Sequence, residues 1–221
     1  MFRFIANVWR SNWKNKIMLI AGALIFLTSA ITIPWAVITR QGDLAFLEAK
    51  NGKPFMWGAE DFPVQCMAHE SVGEKQLAVF EKARTEINRK AGRELLGPCS
   101  PWMLKKPFPT RPLRGNLLIH VGTAPEKPVD GVLVDTPWTA HPGGLTRLWG
   151  RTEAVERIYG VMVWIDPKYG ESFPVWLHEL GHVLGLAHDR LRDSIMWPTI
   201  QERPGSLSSK DAKALAEAYA K

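Results

Sequence analysis

The sequence from His178 to His188 reads H-E-L-G-H-V-L-G-L-A-H, and this stretch decides the fold. His178 and His182 are four residues apart, so they lie on one face of a helix and both imidazoles can reach one metal ion. Gly185 suits the end of that helix, because a residue without Cβ accepts the left-handed conformation that turns the chain. The turn brings His188 back as a third ligand. The stretch therefore predicts a metal-binding helix followed by a tight turn.

Three neutral nitrogen ligands indicate a catalytic zinc ion rather than a structural one. They leave the ion its full charge and a fourth position for water, whereas a structural zinc ion usually completes its shell with a fourth side chain, often cysteine. Neither Cys66 nor Cys99 lies near the stretch in sequence. Glu179 directly follows the first histidine and is placed to accept a proton from that water. A site of this kind hydrolyses amide bonds.

A second motif lies just downstream, and the two motifs together resemble the metzincin metallopeptidases. Ser194 to Pro198 reads S-I-M-W-P and supplies the methionine that lies, in that family, in a tight turn beneath the metal. Met196 follows His188 by only eight residues, a spacing similar to that of the matrixin (matrix metalloproteinase-like) branch. Without the zinc motif, ordinary core packing would be the better interpretation of Met196.

The resemblance covers roughly Lys53 to Lys221 and implies an α+β fold of the metzincin type. Such a catalytic domain has a mixed twisted sheet, an active-site helix and a C-terminal helix. The sequence from Leu207 to Asp211 is similar to the start of the C-terminal helix, with Ser208 or Ser209 as its N-cap. The resemblance also implies one catalytic Zn²⁺, bound by the three histidines, with Glu179 as general base.

The chain also departs from the matrixin pattern. Asp189 follows the third histidine, where matrixins usually have serine. A cysteine-switch motif similar to P-R-C-G, a hemopexin-like domain and the H-x-D element of a structural zinc site are not evident. We interpret the remaining candidate histidines as surface or loop residues, and the candidate acidic residues match no calcium-binding loop. A second zinc ion or a structural calcium ion is therefore left open at these residues: His120, His141, Asp130, Asp135, Asp166 and Glu171.

The first part of the chain predicts a membrane anchor. Residues 1–16 carry four basic side chains and no acidic one, and residues 17–38 carry no charge. As a helix, residues 17–38 would be about 33 Å long, enough to cross a hydrocarbon core of about 30 Å. Positive charge before such a helix predicts a cytoplasmic N terminus and an extracytoplasmic domain, periplasmic or extracellular. We therefore divide the chain into a basic tail (1–16), a transmembrane signal-anchor (17–38), a stalk (39–52) and a metallopeptidase domain (53–221).

A cleaved signal peptide is the alternative interpretation of the same segment. Ile17 to Leu27 would be its apolar core, and Thr28 to Ala30 would offer a cleavage site of small residues. The apolar sequence continues to Ile38, which favours an uncleaved anchor. Both interpretations place the catalytic domain outside the cytosol.

The net charge does not indicate a nucleic-acid partner. Of the formal charge of +6, four positive charges lie in the first sixteen residues, and +2 remains on the rest of the chain. Gly97 to Gly115 is rich in proline and in basic residues, and we interpret it as a stiff solvated loop, with contact to anionic lipid or substrate as the alternative. The predicted partners are a protein or peptide substrate and the membrane, without nucleic acid.

Patterns of apolar residues predict the other elements. Ser71 to Glu74 resembles a capping box that opens a helix towards Lys90. Leu77, Phe80, Ala83 and Ile87 are expected to bury against a sheet. Gly144 to Trp149 is a further strand candidate, and the resemblance implies that it is the edge strand lining the cleft, where an extended peptide can pair. Pro174 fits the first turn of the active-site helix. The other predicted strands are Phe62–Ala68, Leu117–Val121, Val132–Val134 and Gly160–Ile165.

Cys66 and Cys99 are a candidate disulfide. They are the only two cysteines, and an exported domain lies in an oxidising compartment, where an even pair is commonly bridged. A strand followed by a helix can return the second cysteine close to the first. The alternative is two buried free thiols.

These observations predict a zinc-dependent endopeptidase that acts on extracytoplasmic proteins. Two other functions stay open: a zinc amidase acting on cell-wall peptides, and a non-catalytic zinc domain that binds a peptide. Glu179 argues against a mere binder, because binding does not need that carboxylate.

Overall fold

The computed structural model describes residues 46–47, 54–101, 112–123, 144–150, 157–189, 191–199 and 204–220. The chain divides into two compact units, residues 1–43 and 44–221, and all the described residues belong to the second unit. The predicted strand Val132–Val134 and the segment 17–38 lie outside the described residues. Within the described ranges, none of the helices is both long and apolar enough to cross a membrane.

The second unit is built on a mixed sheet. The strands are β1 (Met56–Trp57), β2 (Val64–Ala68), β3 (Leu96–Pro101), β4 (Asn116–Val121), β5 (Gly144–Gly150) and β6 (Arg157–Ile165). The order β1-β6-β4-β2-β3 is parallel throughout, and β5 pairs antiparallel with β6. Strands β4 and β6 are almost continuously apolar and buried, as expected for central strands covered on both faces.

Three helices complete the unit: α1 (Glu74–Ala91), α2 (Phe173–Val183) and α3 (Ser209–Ala218). Helix α1 packs against α2, α3 and β3. Its buried side chains include Phe80, Ala83 and Ile87, as the helical spacing predicts, and the Phe80 ring meets the Trp176 ring edge to face at 5.7 Å. The predicted α+β fold with a mixed sheet, an active-site helix and a C-terminal helix is confirmed.

The predicted cap of α1 was wrong. The N-cap is Gly73, whose N–H donates to the Gln76 side chain at 2.8 Å. The Ser71 hydroxyl is engaged elsewhere, because it contacts His69 Nδ1 at 3.0 Å and accepts from the Val121 N–H at 3.2 Å. A tertiary contact therefore engages the hydroxyl that the local sequence pattern assigned to the N-cap.

The loop predicted from Gly97 to Gly115 begins instead as strand β3. Pro98 and Pro101 do not prevent this, because β3 ends the parallel order and pairs only with β2 among the described strands. Proline is tolerated in an edge strand, where its missing N–H need not serve a second neighbour. Residues 102–111 of the predicted loop lie outside the described ranges.

The segment predicted as a stalk contributes to the domain. Leu47 is buried, with 7% of its surface exposed, and its N–H donates to the Gly185 carbonyl at 2.7 Å. Phe46 forms an antiparallel bridge with Leu186. The domain therefore includes two residues that precede the boundary expected at Lys53.

Cys66 and Cys99 lie opposite each other on the adjacent strands β2 and β3, with their Cα atoms 4.3 Å apart, and a disulfide joins them. Cys66 is buried, with 2% exposed. The bond closes a loop of 33 residues that contains helix α1. It therefore ties the outermost parallel strand to the sheet.

We predict that breaking this bond lowers the free energy of unfolding by about 3–4 kcal/mol, as expected from the chain entropy of a loop of this length. Denaturant titration of the Cys66→Ala/Cys99→Ala variant against the oxidised protein measures the difference. Thiol alkylation of the denatured, non-reduced protein is the companion measurement. Two alkylated cysteines in freshly purified protein would contradict the bond.

Candidate metal centre

Helix α2 carries the histidine motif in the core of the unit. It follows β6 through a 3-10 turn at Pro167–Tyr169, and Pro174 lies in its first turn. Proline is harmless there, because the first N–H groups of a helix have no partner within it. All residues of α2 from Val175 onwards are buried, so the three polar side chains of the motif (His178, Glu179 and His182) sit in an apolar surrounding.

Two backbone carbonyls orient two of the histidines. His178 Nδ1 lies 2.7 Å from the Ile195 carbonyl, and His182 Nδ1 lies 2.7 Å from the Leu186 carbonyl. A carbonyl only accepts hydrogen bonds, so Nδ1 must carry the hydrogen in both rings. Each Nε2 then holds a lone pair, which is the form that a metal ion requires.

The three Nε2 atoms converge on one point. The His188 Nε2 lies 3.1 Å from that of His182 and 3.3 Å from that of His178. Ligands of a tetrahedral zinc ion with Zn–N bonds of about 2.05 Å are about 3.3 Å apart. The donor set therefore fits a zinc ion. Among the described residues, these histidines form the one cluster of at least three metal-ligating side chains.

Gly185 makes the turn that returns the third histidine. Its φ is +81°, in the left-handed region that favours glycine. The Leu186 N–H donates to the Gly181 carbonyl at 3.0 Å and the Gly185 N–H donates to the His182 carbonyl at 2.9 Å, the bonding pattern of a Schellman turn. A Cβ on Gly185 would collide with the Phe55 carbonyl oxygen. Both conformation and space therefore require glycine here.

Donors from distant parts of the chain satisfy the carbonyls at the end of α2. Trp57 Nε1 donates to the Val183 carbonyl at 2.7 Å, and the Tyr219 hydroxyl donates to the Leu184 carbonyl at 2.9 Å. Burial raises the pKa of Tyr219 above its usual value, so the hydroxyl keeps its hydrogen. Neither contact could be predicted from the sequence, because nothing near these two residues in sequence points to the end of α2.

The Met196 side chain packs against Gly181 of helix α2. It is buried, with 1% exposed, and a Cβ on Gly181 would collide with its sulfur. Glycine inside a helix costs about 1 kcal/mol relative to alanine. A glycine in the middle of a buried helix was therefore the sequence signal for a close neighbour at this position.

Asp211 of helix α3 holds the methionine turn. Its carboxylate accepts from the Ser194 hydroxyl at 2.8 Å and from the Ile195 N–H at 3.1 Å. The Ser194 hydroxyl in turn accepts from the Met196 N–H at 3.0 Å. Asp211 also bonds to Ser208, the N-cap of α3. One carboxylate thus connects the C-terminal helix to the turn that supplies the Ile195 carbonyl.

Asp189, the residue that departs from the matrixin pattern, pairs with a charged side chain of helix α3. It is buried, with 4% exposed, and its carboxylate lies 2.6 Å from Lys210 Nζ. Its second oxygen accepts from the Leu191 N–H at 3.1 Å. The pair fastens the chain directly after the third histidine to α3.

Glu179 is buried, with 1% of its surface exposed. One of its carboxylate oxygens, Oε2, accepts a hydrogen bond from the Thr146 hydroxyl of β5. The Thr146 hydroxyl also lies 3.4 Å from the Glu179 carbonyl oxygen. The predicted strand Gly144 to Trp149 is confirmed as β5 (Gly144–Gly150), but Thr146 was not among the predicted site residues.

Of the other candidate residues, those that the structure describes do not join this site. His120 lies in strand β4 rather than in a loop; its ring centroid is 4.8 Å from that of His69, and its pKa is lowered by burial and by His69. The Asp166 carboxylate accepts from the Lys168 N–H at 2.8 Å and so caps a 3-10 turn, and Glu171 is exposed. His141, Asp130 and Asp135 lie outside the described residues.

This fold and donor set define a metzincin-type catalytic domain, and comparison with known proteins gives the family. The matrixin family model matches residues 61–220, and the chain belongs to that family of zinc-dependent peptidases. The chain is also 42% identical over 57 residues to Matrix metalloproteinase-2 of Drosophila melanogaster. That match covers 24% of this chain and 8% of the fly protein.

We predict that Gly185→Ala lowers the stability and weakens zinc binding, whereas Gly92→Ala lowers only the stability. Both glycines have a left-handed φ, +81° and +72°, but only Gly185 faces a backbone atom; nothing lies within 4 Å of a Cβ on Gly92. The conformation alone costs about 1–2 kcal/mol. Denaturant titration and competition with a zinc chelator measure the two effects. Equal loss of stability and equal zinc affinity in both variants would contradict the proposed role of the turn.

Proposed function

We propose that the protein is a zinc-dependent endopeptidase that cleaves extracytoplasmic proteins. The observation that carries the proposal is the convergence of three histidine Nε2 atoms next to the buried residue Glu179. The His188 Nε2 lies 3.1 Å from that of His182 and 3.3 Å from that of His178. Membership of the matrixin family supports the same chemistry.

In this proposal His178, His182 and His188 hold the zinc ion. When bound, zinc supplies a Lewis acid that acidifies water and polarises the scissile carbonyl. Glu179 accepts the proton of the attacking water and later delivers a proton to the leaving nitrogen.

The sheet offers a binding surface for an extended substrate. Among the described strands, β5 pairs with β6 alone, so its other side can pair with a peptide through backbone hydrogen bonds. Such binding reads the backbone more than the side chains and therefore favours unfolded or loop segments of proteins. A cell-wall amidase would use the same metal chemistry, and a non-catalytic binder would have no need of Glu179.

We predict that Glu179→Gln retains stoichiometric zinc but loses at least the ~10²–10⁴-fold in peptide hydrolysis that is typical of a general base. Amide in place of carboxylate keeps the shape and removes the basic group. His188→Ala is the matched variant, and it should lose zinc itself, as measured by metal analysis and chelator competition. Near wild-type turnover of Glu179→Gln would refute the mechanism. Unchanged zinc affinity of His188→Ala would show that His188 is not a zinc ligand.

The substrate class is tested by profiling new protein N termini in cells that carry the wild-type or the Glu179→Gln protein. An endopeptidase produces new N termini only with the wild type. Release of cell-wall peptides without new protein N termini would favour the amidase. Absence of both products would favour the non-catalytic binder.

We further propose that residues 17–38 hold the enzyme in a membrane, with the N terminus in the cytoplasm. The support is the uncharged 22-residue length of this segment and the four basic residues before it. The alternative is secretion after cleavage near Ala30.

We predict that a reporter fused after Lys221 is exported and that the protein stays in the membrane fraction after a carbonate wash, because about 33 Å of apolar helix spans the hydrocarbon core. Cell fractionation and N-terminal sequencing are the measurements. A soluble product that begins near Ile31 would favour the cleaved signal peptide. A cytosolic reporter would contradict both versions.

A further inference from the structure

The edge strand brings a hydroxyl to the proposed general base. Thr146 lies in the middle of β5, opposite Val163 of β6, and 5% of its surface is exposed. Its hydroxyl donates to Glu179 Oε2, since an ionised carboxylate only accepts. This contact joins two residues that are 33 positions apart in sequence and ties β5 to helix α2.

This hydrogen bond has two physical consequences for Glu179. A donor to one oxygen replaces a hydrogen bond to water that the buried carboxylate has lost. It also fixes the orientation of the group, because the terminal torsion of a glutamate is broad and has no sharp preference of its own. With Oε2 held, the direction of Oε1 is fixed as well.

We infer that Thr146 is a positioning residue of the enzyme: its hydroxyl holds the Glu179 carboxylate in the orientation in which it accepts the proton of water. This inference rests on the proposed function. Threonine is suited to the task, because its branched Cβ fits a strand and restricts χ1, so that the hydroxyl itself is held in place. Thr146 does not touch the reacting atoms in this scheme; it acts through Glu179.

The inference also links substrate binding to catalysis. A peptide that pairs with β5 lies along the strand that carries Thr146, so the strand that receives the substrate also orients the base. A hydroxyl that merely satisfied a polar atom in the core would affect stability but would not change turnover in the folded enzyme.

The test uses the zinc-loaded full chain with Thr146→Val, which keeps the shape and removes the hydroxyl, and Thr146→Ser, which keeps the hydroxyl. Thr146→Ala is a second variant without the hydroxyl, and Thr85→Val, at an exposed position of α1, is the matched control. We expect kcat on a fluorogenic peptide to fall by about 10²-fold in Thr146→Val, as for a displaced catalytic group. KM and zinc content should stay unchanged, Thr146→Ser should restore turnover, and Thr85→Val should match the wild type.

A second measurement does not depend on activity. In the zinc-free protein, Thr146→Val should lower the denaturation midpoint more when residue 179 is glutamate than in the Glu179→Gln background, because a hydrogen bond to a charged acceptor is the stronger one. Equal shifts in both backgrounds would overturn the contact.

The remaining outcomes separate the inference from the function on which it rests. Wild-type kcat in Thr146→Val and Thr146→Ala, or equal impairment of Thr146→Ser and Thr146→Val, would overturn the positioning role while an inactive Glu179→Gln keeps the proposed function. An active Glu179→Gln would overturn the proposed function, and the zinc-free measurement would still decide whether Thr146 holds the carboxylate.

Discussion

Two backbone carbonyls are the constraint on which the rest of the site depends. Those of Ile195 and Leu186 each accept the Nδ1 hydrogen of one histidine, and so turn the Nε2 lone pairs towards a common point. Neither carbonyl belongs to the helix that carries those histidines. The turn after the helix must place one of them, and the methionine turn, fixed by the Asp211 carboxylate, must place the other. The turn after α2 and the methionine turn together hold these two carbonyl oxygens in place.

The same logic connects both ends of the domain to the centre. Leu47, Trp57 and Tyr219 come from the two extremes of the described chain, yet each donates to a carbonyl at or just beyond the end of α2. Buried carbonyls without donors are costly, so these contacts stabilise the end of the helix where the turn to His188 begins. Phe46 and Leu47 are therefore part of the support of the turn after α2.

The sequence could predict the features that residues close together in the chain encode, but not the contacts between residues far apart. The three histidines, Gly185 and Met196 lie within 19 residues. Spacing and residue type predicted the ligand helix and its turn, and the resemblance to the metzincins implied the methionine turn. The role of Thr146 follows from contact across the sheet, and no local pattern encodes it. The predicted cap at Ser71 was wrong for the same reason, because the Ser71 hydroxyl accepts from the Val121 N–H of β4, a strand distant in sequence.

The two edges of the sheet differ in how far side chains cover them. In the proposed function, this difference explains how one edge strand can bind a peptide while the other edge is protected from unwanted pairing. Unpaired strand edges are liable to join other chains. At β3, side chains of α1 cover the edge: Asn88 bonds to the Leu95 and Leu96 N–H groups and to the Leu96 carbonyl, and Glu81 accepts from the Cys99 N–H. Prolines remove further donors from that strand. In the proposed function, an incoming peptide therefore pairs with β5, the strand beside the proposed catalytic carboxylate.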